Sequence, residues 1–393
     1  MATLRQAIES HRERGTLPRA SVVSVGDLHR RFPGSQGSTR RLILKMFEAI
    51  SARKPWAIIL CRFKGAAPHP SEPSVEALYR RMFMPGSGGL VEYWRDATLG
   101  NVDITGSRVF DWIEVDIPRD KAGGHPQSNP VGPGRSGLVD AAIRAVLAKN
   151  PRALDGFYSQ MSVYNENWSS DDVPVAQQFA GSPFWIDGSA DGSGRVNLTP
   201  THAVDIVAHE MGHGFNMSHD VNVDSTVHYA DPCCIMSQRP LFRPDGWPSL
   251  FGPAVCLPHL VQMNWMYRQR ILVDNNWASI AGGINVRLAQ VSDPGAEANL
   301  GAALPMFKGD DEWDYYLEYV RPTVWSRGLS GEFVFIRRIR PSDAGPTAAI
   351  LGSIAVPAGG ATSQFVEAIG NVRFEARHAA ADGRVVNVNI RKL

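Results

Sequence analysis

The segment T-H-A-V-D-I-V-A-H-E-M-G-H-G-F-N-M-S-H-D, residues 201–220, constrains this chain more than any other. Val204, Val207, Ala208 and Met211 recur at helical spacing and predict one buried face of a helix, with Pro200 and Thr201 as its start signal. His209 and His213 stand at i and i+4, so both imidazoles leave the same side of that helix, one turn apart. Two neutral ring nitrogens so placed reach a single metal ion at about 2.0–2.1 Å each. Glu210 is rotated by one residue from the pair, which keeps it off the ion and beside a water held there. The third imidazole, His219, follows six residues after His213, where a continuing helix would point it elsewhere. The helix must stop and the chain turn back. Gly214 and Asn216 suit that turn, because Asn is the commonest non-glycine residue at positive φ. The bland alternative is a helix of surface histidines that hold nothing. Three His and one Glu at fixed offsets, in a chain with 11 His among 393 residues, argue against it.

The pattern H-E-x-x-H-x-x-N-x-x-H resembles the metzincin signature, with Asn216 where that family usually has Gly. Y-A-D-P-C-C-I-M-S (229–237) resembles the family's methionine turn, with Met236 as the residue beneath the metal, 17 positions after His219. Gln238 stands where some metzincins carry a tyrosine. W-A-I-I-L-C-R-F-K-G (56–65) and Y-W-R-D-A-T-L-G-N-V-D-I-T-G-S-R-V-F-D-W (93–112) look like the first strand and following region of immune inhibitor A-like and gametolysin-like peptidases. Residues 314–339 are similar to the strand pair that follows the catalytic domain in the immune inhibitor A-like group. The resemblance implies a zinc-dependent endopeptidase. One catalytic Zn2+ would sit on His209, His213 and His219, with Glu210 as general base toward a zinc-activated water that attacks a peptide carbonyl. It also implies a protein or peptide substrate, and secretion. The N-terminal M-A-T-L-R-Q-A-I-E-S-H-R-E-R-G, however, has no apolar core of signal-peptide length.

A length of 393 residues is too great for one ordinary core. Residues 1–53 carry helical periodicity in two pieces and are expected to form an N-terminal helical segment or a pro-segment. A cysteine-based latency switch would need a cysteine there, and the segment has none. Residues 54–269 are expected to be the catalytic domain: an α/β (α+β) metzincin-like fold with a mixed sheet and an active-site helix. The order runs strand 55–64, helices near 75–83 and 90–97, one or two strands in 101–117, a helix with Leu138, Ala141, Ala142, Val146 and Leu147 on one face, and a strand in 157–165. Alternating runs at 279–291, 315–320, 332–338, 348–356 and 371–391 predict an all-β sandwich over 270–393. A net charge of +1 gives no global field for nucleic acid, and no apolar run is long enough to span a membrane. Nothing in the sequence fixes the oligomeric state.

Other residues carry two readings each. Asp220 either orients a ligand imidazole or caps a turn. His228 and Tyr229 are either loop residues or a transition-state donor beside the third ligand. His202 lies seven residues before His209, at the helix start, and is expected to be solvated. The acidic, glycine-rich run 187–195 is either a flexible turn or a Ca2+ loop using Asp187 and Asp191. Trp313, Tyr315, Tyr316, Tyr319 and Trp325 either pack a core or line a binding surface. Cys61 reads as a buried small hydrophobe; a bridge from Cys233 or Cys234 to Cys256 stays open. Two functions compete with the endopeptidase. One is a non-catalytic zinc protein whose β-sandwich binds a glycan or protein partner, which the presence of Glu210 disfavours. The other is a zinc hydrolase acting on a non-peptide amide.

Overall fold

The computed structural model describes residues 53–122, 134–166, 188–190, 194–198, 204–222, 227–237, 241–266, 268–293, 295–308, 311–340, 348–379 and 383–393. The expected N-terminal segment 1–53 lies outside them except for Arg53. So do His202, Gln238, and Asp187 and Asp191 of the acidic loop. The fold is mixed α/β with several sheets. Among the described residues, no helix is long and apolar enough to cross a membrane.

The chain divides into two compact units. The first comprises Met1–Glu92, Gly100–Asp187 and Arg195–Pro200; the second comprises Tyr93–Leu99, Gly188–Gly194 and Thr201–Leu393. This is not the expected division at 269/270. The helix carrying His209 belongs with the C-terminal strands, for reasons of pairing given below.

In the first unit, β1 (Trp56–Arg62) is apolar and buried from Trp56 to Cys61, as a strand covered on both faces must be. It pairs in parallel with β2 (Arg108–Glu114) and β3 (Ser159–Tyr164), placing Ile58 opposite Val109 and Met161. Parallel neighbours need crossovers. Helices α1 (Glu72–Met82) and α2 (Leu90–Ala97) lie in the chain between β1 and β2, and α3 (Gly134–Lys149) lies between β2 and β3. After β4 (Gly188–Ala190), β5 (Val196–Leu198) extends the sheet in parallel beside β3. Of the α3 face predicted from spacing, Leu138, Ala141, Ala142 and Val146 pack against Ile59, Cys61, Ile113 and Tyr164, whereas Leu147 is only partly buried and lies outside that cluster. The run 101–117 forms one strand rather than two, and Cys61 is a buried hydrophobe.

In the second unit, α4 (Val204–Gly214) buries the predicted Val204, Val207, Ala208 and Met211. Beyond it come β6 (Val221–Asn222), the short helix α5 (Leu257–Gln262), β7 (Ile271–Val273), β8 (Ile284–Ala289), β9 (Gly301–Lys308), β10 (Asp311–Val320), β11 (Phe333–Ile339), β12 (Ala349–Ala355), β13 (Ser363–Glu367), β14 (Val372–His378) and β15 (Val385–Lys392). One sheet runs β6-β12-β11-β10-β9-β7 and the other β13-β14-β15-β8. All pairs are antiparallel except β6 with β12 and β7 with β9. The two sheets share one core, with Leu304, Trp313, Tyr315 and Ile336 from the first meeting Val286, Phe374, Val388 and Ile390 from the second. Of the two readings of the aromatics, packing therefore holds for Trp313, Tyr315, Tyr316 and Tyr319, all buried. The run expected at 371–391 holds two strands, β14 and β15, paired antiparallel. β9 was hidden by Pro305, which sits past the last residue pair with β7, where the strand has a neighbour on one side only and loses no ladder bond.

The reason α4 falls in this unit is that the segment after it is stitched to the sheet. Val221 donates its N–H to Ala348 O at 3.0 Å, and β6 runs parallel to β12 with Val221 opposite Ala349. A second link is a buried ion-pair group. Arg337 of β11 bonds Asp231, at 3.0 Å for one of the two contacts, and also binds Glu318 of β10. Arg337 further donates to Cys233 O at 3.1 Å, while Glu318 accepts the N–H of Leu257 at 2.9 Å.

Candidate metal centre

The helix stops where the sequence asks. Asn216 has φ of +75°, the left-handed conformation that Asn tolerates. Asn216 N–H bonds His213 O at 2.7 Å and Met217 N–H bonds Gly212 O at 3.0 Å. That pair of bonds closes the helix in a Schellman motif and satisfies its last carbonyls. The turned-back chain then offers Met217 O to His213 Nδ1 at 2.8 Å. Ile235 O, in the 3-10 turn Ile235–Ser237, takes the Nδ1–H of His209 at 2.8 Å.

These two carbonyls fix the tautomers. A carbonyl only accepts, so His209 and His213 each carry their proton on Nδ1 and a bare lone pair on Nε2. Burial, and then the neighbouring His213 and His219, hold His209 well below the usual histidine range. Burial lowers His213 as well, and burial first, then His213 and His228, brings His219 down to about 3. All three rings are neutral at pH 7. Their Nε2 atoms nevertheless converge: 3.1 Å between His209 and His213, 3.2 Å between His209 and His219, and 2.8 Å between His213 and His219. Between His209 and His213 there is no proton to share, so two lone pairs face one another across 3.1 Å. A cation relieves that repulsion. A tetrahedral zinc site, with Zn–N of about 2.0–2.1 Å, sets its nitrogens about 3.3 Å apart, close to these separations. The residues present therefore fit a divalent ion on His209, His213 and His219.

Met236 lies under the helix. It is fully buried, and a Cβ built on Gly212 would stand 2.5 Å from its Sδ and 3.0 Å from Met217 Cε. Glycine at 212 thus lets the turn approach the helix between the two histidines. Glu210 is buried and is not among the atoms that converge with the ring nitrogens.

Tyr229 and His228 are drawn to the site. Tyr229 N–H bonds Asp220 O at 2.9 Å, Asn222 N–H bonds Val227 O at 3.0 Å, and Val221 bridges to His228. This reversal brings the exposed Tyr229 ring to 4.3 Å from the His219 ring and His228 to 5.6 Å from it. Tyr229 has φ of +61°, uncommon for a residue with a side chain and a feature that gathers at functional sites. The sequence offered only its position between two motifs. Asp220 does neither thing expected of it: its carboxylate lies 2.9 Å from Nε2 of His259, a residue the sequence did not mark. All four cysteines are free thiols, so neither Cys233 nor Cys234 is bridged to Cys256. The chain matches no protein-family model and no curated protein.

Proposed function

We propose that the chain is a zinc-dependent endopeptidase of the metzincin type, with His209, His213 and His219 holding the ion and Glu210 acting as general base. One observation carries the reading: three neutral imidazoles bring their Nε2 atoms to one point, two of them held there without a proton, with a carboxylate next to the first on the same helix. A closed structural site would fill the fourth position with protein; three nitrogen ligands and a spare carboxylate are the composition of a hydrolytic one. When bound, zinc polarises the scissile carbonyl and makes water acidic enough to yield hydroxide near neutral pH.

The chain's own residues do the rest. Ile235 O and Met217 O hold two rings in the liganding tautomer. A Glu210 carboxylate oxygen takes the proton of the attacking water and hands it to the departing amine nitrogen. Met236 seats the helix from below, and Tyr229 walls the third ligand on its exposed side. The test is digestion of casein by the purified full chain, with chelator, with zinc restored, and with Glu210→Gln. Expected is chelator-sensitive cleavage that zinc restores, and a Glu210→Gln variant that keeps its zinc while losing about 10²–10⁴-fold in turnover. Normal turnover in Glu210→Gln defeats the assignment. A zinc-loaded wild type without turnover on any peptide library points instead to the non-catalytic zinc protein.

A further inference from the structure

Next to the histidine centre lies a second cluster that the hydrolytic reading does not use. Asp220, Cys234, Cys256 and His259 each offer one ligand atom, and these atoms all lie within 4.8 Å of one another. Asp220 Oδ1 is 2.9 Å from His259 Nε2 and 4.0 Å from Cys256 Sγ, and the Cys234 and Cys256 thiols are hydrogen-bonding neighbours. All four side chains are buried, none more than 1 % exposed.

Left to themselves, these groups are poorly matched. The close approach of His259 Nε2 to Asp220 lies off the N–H axis, so neither ring nitrogen of His259 makes a hydrogen bond, and Asp220 Oδ2 has no partner either. The buried guanidinium nearby, Arg337, is committed to Asp231 and Glu318. Buried polar atoms are almost always satisfied, and a cluster of several that are not calls for an unseen ion or water. The donor set decides which. Two thiols and an imidazole are the soft and borderline ligands that favour zinc, a carboxylate is a harder one that zinc also takes, and the four close a tetrahedron. Ligand atoms of such a site stand about 3.3–3.8 Å apart; the contacts of 2.9 and 4.0 Å fall on either side of that range, within a few tenths of an ångström of it.

We infer that Asp220, Cys234, Cys256 and His259 form a second, buried, four-coordinate zinc site that is structural rather than catalytic. It differs from the first in having thiolate ligands and no open position. Two of its ligands flank residues of the hydrolytic centre, and the other two come from α5 and its N-cap. Asp220 directly follows His219, Cys234 stands two residues before Met236, and Cys256 with His259 belongs to the start and body of α5. An ion there ties the third histidine and the methionine turn to one anchor. Binding replaces the thiol protons with the ion and releases them to solvent.

Cobalt(II) as the probe separates the two centres, because only thiolates give sulfur-to-cobalt charge-transfer absorption in the near ultraviolet. The full chain, purified under reducing conditions, stripped of metal and titrated with Co2+, should develop that band. His213→Ala should retain it and Cys256→Ser should lose it. Zinc content should be about two ions per chain in the wild type and about one in either variant. His259→Gln serves as a milder second variant, and the wild-type spectrum needs no variant at all. A wild type with one zinc and no thiolate band overturns the inference. So does a Cys234–Cys256 disulfide in the native chain under non-reducing peptide mapping. A protein that keeps the band but never cleaves peptide sinks the hydrolytic reading and leaves this one standing.

Discussion

Gly212 and Asp205 show how single residues set the terms for the centre. Gly212 leaves room for Met236 Sδ and Met217 Cε against the helix, where an added methyl would meet both. Gly212→Ala is expected to destabilise the protein by about 1–3 kcal/mol through overpacking and to loosen metal retention; thermal melts and zinc analysis check both, and a wild-type melt would remove Met236 as a support. Asp205 is buried on α4, and burial pushes its carboxyl up to about 7, against backbone N–H groups that pull it down. The folded state therefore keeps a proton that the unfolded chain has lost. Stability from this group is complete below the ordinary carboxylate range near 3.8 and drains away as pH rises to about 7. Asp205→Asn should match the wild type at low pH and exceed it above pH 7, which melts across a pH series would reveal. His209, His213, His219, Glu210 and Asn216 were legible because helix period and turn chemistry are local. Tyr229 was half legible, and His259 was not, since a lone His carries no spacing to read.

At the scale of elements, the join between the turn Ile235–Ser237 and the sheet depends on Arg337. It sits fully buried in β11, answering Asp231 before the turn and Glu318 on β10. Arg337→Met would leave two buried carboxylates without their cation, at a cost of about 3–5 kcal/mol. Neutralising all three positions, with Asp231→Asn and Glu318→Gln added, should recover most of that loss in a thermal melt, since an uncompensated charge costs more than a missing pair. Strand existence was readable where apolar and polar residues alternate, as at β10 and β11. It was not readable for β9, where Pro305 speaks against a strand unless one knows that the strand is an edge there.

For the molecule as a whole, the expected boundary at 269/270 is the instructive difference. β6 needs β12, Asp231 needs Arg337, and Leu257 N–H needs Glu318, so residues 204–262 depend on strands far along the chain, 61 residues on for Leu257 and 106 for Asp231. A chain ending at residue 269 is expected to be insoluble or metal-free while the full chain holds zinc; a soluble, zinc-loaded 54–269 fragment would restore the simpler division. The sequence by itself determined the helix, its stop at Asn216, the convergence of three histidines and the core face of α3, because each depends on residues within a turn or two of one another. Only the tertiary structure decided the rest: which unit owns the site helix, that the cysteines stay unbridged, and that Asp220 meets Cys234, Cys256 and His259. Those contacts join residues far apart in the chain, and no local period or propensity records which distant side chain will be left buried beside another.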